Sequence, residues 1–101
     1  MKTTKNFNKK LQNLQQLFNL TKSDTKEIIS EIKEVMLELE KNGSIPTEYQ
    51  DHKLTRAPWT GYNEFHVLDD LLVIYFKIEK KKVIRMVTIT NHKELQNGRW
   101  N

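Results

Sequence analysis

A chain of 101 residues has room for one compact domain, residues 1–101, and not for two independent cores. Seventeen Lys and Arg against thirteen Asp and Glu leave a formal charge of +4 and a pI near 9.3, a balance that favours polyanions such as nucleic acid as partners. The lack of Cys excludes disulfides and thiolate metal sites. No stretch approaches the ~20 apolar residues of a membrane span, and the first residues lack the apolar segment of a secretory leader, so a reducing cytoplasm is the expected setting.

In chain order, Phe7, Leu11, Leu14 and Phe18 recur at steps of four, three and four, which predicts one helix with Lys and Gln outside its apolar stripe. Polar residues Thr21 to Thr25 follow, with Asp24 three places before Glu27 as a capping pair, and a second stripe of Ile28, Ile32, Val35 and Leu39 predicts a second helix. Asn42-Gly43 should end it and Pro46 forbids its continuation, so the two helices are expected to pair as a hairpin. Seven acids against four Lys between residues 21 and 50 suggest a solvated acidic helix face.

Residues 45 to 62 lose any period and read as an irregular surface connection. Beyond it, residues 64–67, 71–78 and 83–90 are rich in β-branched and aromatic residues and predict three antiparallel strands, the middle one apolar on both faces and therefore central. Helices first and a hairpin sheet afterwards give an α+β class: an N-terminal helical hairpin on a small, mainly antiparallel twisted sheet.

All three histidines, His52, His66 and His92, fall in the C-terminal half, where a shared site is geometrically possible. Imidazole exchanges protons near neutrality, which fits acid–base catalysis, although an isolated His in a strand or loop is more often structural. Their spacing matches no common zinc motif, so no metal and no cofactor are expected. Tyr49, Trp59, Tyr62 and Trp100 flank Lys53, Arg56, Lys93 and Arg99, a mixture able to stack bases and neutralise phosphates, with core packing the plainer role for Trp59 and Tyr62. Lys80-Lys81-Lys82 reads as a solvated hairpin tip.

Tyr49-Gln50-Asp51-His52-Lys53-Leu54 and Trp59-Thr60-Gly61-Tyr62-Asn63-Glu64-Phe65-His66-Val67 resemble the D-H-x-L and W-x-G-x-R-x-x-H signature of RelE/YafQ-type bacterial toxins. Asp70, the run Leu72-Val73-Ile74-Tyr75 and the close at Asn91-His92-Lys93-Glu94-Leu95 continue the likeness. The family's short first strand would fall at residues 2–5.

The resemblance implies a toxin endoribonuclease that cleaves mRNA on the translating ribosome by metal-independent attack of the ribose 2′-hydroxyl, and that is neutralised by a cognate antitoxin. Within it, His52, His66, Asp70 and His92 take the catalytic positions. His52 and Asp70 are expected on the proton-acceptor side, His92 as the acid and His66 on the phosphate. Lys53, Arg56, Lys77, Lys93 and Arg99 are the candidate RNA-binding cations. An antitoxin with an acidic, partly disordered segment would close such a site, and the toxin–antitoxin complex would be oligomeric through it.

The chain departs from the family pattern at Asn63 and Thr88, where Arg is usual, at Gln96, where an aromatic is usual, and at Leu71, in place of Trp. A guanidinium is a bidentate phosphate donor that Asn and Thr do not replace. Arg85, three residues before Thr88, faces away from it in a regular strand and would share its face only across a bulge. These departures keep a second class of function open: a catalytically degraded binding module that inhibits gyrase, as the ParE-like relatives do, or binds RNA.

Overall fold

The computed structural model describes residues 1–55, 59–67, 71–78 and 83–91. Chain order is β1 (Lys2–Thr3), α1 (Lys5–Gln12), α2 (Leu14–Leu17), α3 (Lys22–Asn42), a 3-10 turn at Thr47–Tyr49, β2 (His52–Lys53), β3 (Asn63–Val67), β4 (Leu71–Ile78) and β5 (Val83–Asn91). The sheet runs β1-β5-β4-β3-β2 and is antiparallel throughout except for the parallel pair β1·β5. The α+β expectation holds, with two short strands added at its edges. Asp70, His92, Arg56, Lys93, Arg99, Trp100 and the lysines 80–82 lie outside the described residues.

The predicted first helix is broken. Asn13 takes φ −110° and ψ 20° between α1 and α2, and its side-chain amide donates to the Lys9 carbonyl at 2.8 Å. A short amide that bonds local backbone competes with the helical ladder, so the apolar spacing survives while the helix does not.

Helix α3 matches its stripe: Ile28, Ile32, Val35 and Leu39 are buried. Its N-cap is Thr21, whose hydroxyl accepts from Asp24 N–H at 3.0 Å, one turn earlier than the Asp24–Glu27 pairing suggests. Gly43 ends the helix at φ 72°, as expected of a glycine in the left-handed region.

Strand alternation divides the sheet into two faces. Phe65, Val67, Leu71, Val73, Tyr75, Ile84, Met86 and Ile89 join Phe7, Leu14 and the α3 stripe in the main core. The opposite face carries a smaller cluster of Trp59, Ile74 and Val87, with Leu54 and Tyr62 packed against it. Burial on both faces explains the unbroken apolar run of β4.

One irregularity governs β5. Ile74 pairs with Thr88 and Tyr75 with Met86, so Val87 is an extra residue, a β-bulge. Thr4 anchors it: its N–H donates to the Met86 carbonyl, its hydroxyl donates to the Val87 carbonyl at 2.6 Å, and the same oxygen accepts from Phe7 N–H to cap α1. Farther along β5, where β1 no longer pairs, the buried Lys10 ammonium donates to the Ile89 carbonyl at 2.9 Å and satisfies an open sheet edge. The bulge returns Arg85 to the face that bears Ile74 and Thr88, because Arg85 pairs with Phe76, two residues from Ile74.

On α3, burial first and then Glu27, Glu34 and Glu48 hold the Glu31 carboxyl above its ordinary value. A carboxyl raised in the folded state binds its proton more tightly there than in the unfolded chain, so stability falls as pH rises through the folded value. Glu31→Gln removes that loss. Thermal melting should show the variant more stable than wild type at neutral pH and equal to it in acid, where Glu31 is protonated in both states.

Candidate active site

Three side chains meet on the face of the sheet away from the helices. His52 on β2 stands opposite Glu64 on β3, and its Nε2 lies 2.7 Å from Glu64 Oε1. Glu64 is buried and His52 half exposed, with side-chain exposures of 6% and 52%. His66, two residues beyond Glu64, shares that face, and its ring stacks towards His52 with centroids 6.1 Å apart and 30° between planes. The two predicted histidines are therefore brought together, and Glu64, which sequence reasoning passed over, joins them.

His52 is oriented from both sides. Gln50 adopts φ 53° at the end of the 3-10 turn, and its carbonyl lies 3.1 Å from His52 Nδ1. Asp51 accepts a hydrogen bond from the Tyr75 hydroxyl, which ties the start of β2 to the central strand. Burial first, and then the bonded, charged Asp51, push the Tyr75 phenol far above its ordinary value, so it remains a donor. Each ring nitrogen of His52 thus faces an oxygen, Nε2 the Glu64 carboxyl and Nδ1 the Gln50 carbonyl, which fixes the orientation of the ring. Glu64 presents its other oxygen, Oε2, buried and without a hydrogen-bond partner among the described residues.

The cations divide. Lys53 is exposed, but alternation turns it from the His52 face. Lys77 is a correction: its Nζ donates to the Gly43 carbonyl at 2.9 Å and sits 6.0 Å above the Tyr75 ring, on the helix side and away from the histidines. Its position two residues from Tyr75 in β4 fixes this side, and a basic residue there satisfies a carbonyl at the C-terminal end of α3. Trp59 is core, 2% exposed, and Tyr49 packs edge-on against Phe65 in the main core, so neither offers a free stacking surface. Thr88 is buried and donates to Asn6 Oδ1 at 2.5 Å. Among the described residues, no group of three or more His, Asp and Glu is arranged to hold a metal ion.

A helical layer on one sheet face and an imidazole–carboxylate cluster on the other define a small α+β protein with a polar site on an open sheet. Residues 1–97 match the model of the YafQ toxins, bacterial toxins of type II toxin–antitoxin systems, and the chain belongs to that family. Among solved structures it is similar to YafQ of E. coli strain BL21(DE3), at 25% identity and TM-score 0.68 over 93% of both chains. It is also similar to the E. coli DinJ–YafQ complex, at 26% identity and TM-score 0.66 over 93% of both chains. A conserved hypothetical protein of Helicobacter pylori is similar at 26% identity and TM-score 0.56, over 93% of this chain and 94% of the other. Comparison with curated proteins finds no match.

Proposed function

We propose that this toxin is an endoribonuclease that cuts mRNA on the translating ribosome by acid–base chemistry without a metal, in the cytoplasm, and that a cognate antitoxin neutralises it. The observation that carries the reading is the His52–Glu64–His66 cluster on an open sheet face. In the reaction the ribose 2′-oxygen bonds to the adjacent phosphorus and gives its proton to a base. The P–O5′ bond breaks, and the leaving oxygen takes a proton from an acid, which leaves a cyclic phosphate and a 5′-hydroxyl. His52, oriented by Glu64 and the Gln50 carbonyl, takes the 2′-hydroxyl proton, and the adjacent Glu64 carboxyl steadies the charge the ring gains. His66 stands beside it against the phosphate, with Asp70 and His92 completing the proton path and Arg56, Lys93 and Arg99 binding the RNA strand.

The antitoxin follows from family membership and from the E. coli toxin of this family, whose structure is known in complex with DinJ. A second reading, a binding module without catalysis, draws on Thr88, which stands where the family has Arg and is committed to Asn6. The deciding experiment maps mRNA cuts on translating ribosomes with wild type and a His52→Ala, His66→Ala double variant. Cuts lost by 10²-fold or more in the variant support the ribonuclease. Growth arrest by both proteins without cuts would replace it with the binding module.

A further inference from the structure

Phe76 is an exposed aromatic in the middle of the central strand, 37% exposed, although the run that contains it reads as core. Its ring leans on Tyr62, centroids 5.3 Å apart and 53° between planes, so its position is supported from one side. Arg85 pairs with Phe76, and Lys2 pairs with Arg85 across the parallel β1·β5 contact. Paired residues on neighbouring strands share a face, so Lys2, Arg85 and Phe76 form one row across the sheet. The bulge at Val87 places that row on the histidine face; without the extra residue, register would turn Arg85 and Lys2 towards the helices. Lys2 and Arg85 are both exposed. From strand spacing and rise, Phe76 lies about 8 Å from Glu64 between Cα positions.

We propose that Lys2, Arg85 and Phe76 form a strip that binds single-stranded RNA beside the cleavage site, a base stacking on Phe76 and successive phosphates lying against Arg85 and Lys2. This rests on the ribonuclease reading for its location and goes beyond it in naming where the flanking strand runs. An aromatic flanked by cations on an open sheet is the arrangement that holds single strands without reading sequence. The strip supplies a guanidinium to the same face on which Thr88 lacks one, while leaving the scissile phosphate to the histidines.

The test uses the full-length toxin and a 2′-O-methyl oligoribonucleotide, which binds but cannot be cut, with affinity followed by fluorescence anisotropy across a salt series. Arg85→Gln and Lys2→Gln should each flatten the plot of log affinity against log salt by about 0.7. Phe76→Ala should weaken binding at least about fivefold with the slope unchanged. Arg85→Lys should restore the slope, and Lys33→Gln on the exposed face of α3 should alter neither quantity.

Unchanged slopes in the Arg85 and Lys2 variants, or unchanged affinity in Phe76→Ala, overturn the strip while ribosomal cleavage by wild type stands. If the same substitutions abolish binding of a polyglutamate peptide and spare the RNA, the strip belongs to a protein partner and the proposal fails. Wild type that neither binds this RNA nor cuts mRNA sinks both readings together.

Discussion

Glu64→Leu is expected to abolish RNA cleavage, by 10²-fold or more, while making the folded protein more stable by about 1 kcal/mol. The carboxylate is buried, one oxygen held by His52 and the other without a partner among the described residues. A buried carboxylate that is half satisfied carries a desolvation penalty that a leucine of similar volume does not. His52 is half exposed and rehydrates when Glu64 is removed, so no second charge is stranded. What is lost is the counter-charge that holds the imidazole in line. Glu64→Gln, which keeps an acceptor for Nε2 without the charge, should fall between the two. Single-turnover cleavage and urea unfolding on the three proteins check this, and wild-type cleavage by the Leu variant would reduce Glu64 to a packing residue.

Tyr75→Phe should act in the opposite sense on stability. The ring is fully buried in the main core and its hydroxyl donates to Asp51, the residue before His52. Loss of a hydrogen bond to a charged acceptor costs about 2 kcal/mol. It also releases β2, two residues long, from the central strand, so cleavage should drop with the stability even though the phenol is not part of the site. Since the phenol is raised in the folded state, its contribution is complete below the unfolded value of about 10 and disappears as pH rises through the folded value. Between about pH 6 and 9 the stability difference between wild type and Tyr75→Phe should therefore be constant, which denaturant titrations at several pH values would show.

The parts of this fold that the sequence reveals are those set by long apolar periods. The α3 stripe from Ile28 to Leu39, the three long strands and the doubly buried β4 are each specified by several side chains that must be inside. The meeting of His52 with His66 is legible through the family spacing. Other features depend on a single residue and leave no periodic trace. Asn13 breaks a helix whose apolar spacing looks continuous, and Val87, an ordinary strand residue, displaces every side chain before it by one face.

Glu64 was hidden because one acid in a strand usually points to water. The signal that could have found it is its i, i+2 relation to His66 within a strand whose other positions, Phe65 and Val67, belong to the core. Phe76 was hidden by the same logic reversed, since an aromatic at the end of an apolar run reads as buried.

The acidic surface of α3 and the basic row through Arg85 lie on opposite sides of the molecule. Glu27, Glu31, Glu34 and Glu48 gather behind the sheet, while Lys2 and Arg85 stand in front of it. Such a separation sets charge of opposite sign on the α3 surface and on the row through Arg85, a difference that a polyanion feels before contact. In the ribonuclease reading proposed above, RNA draws the Lys2–Arg85 row and not the acids of α3, so more of the encounters begin with the histidines facing the strand.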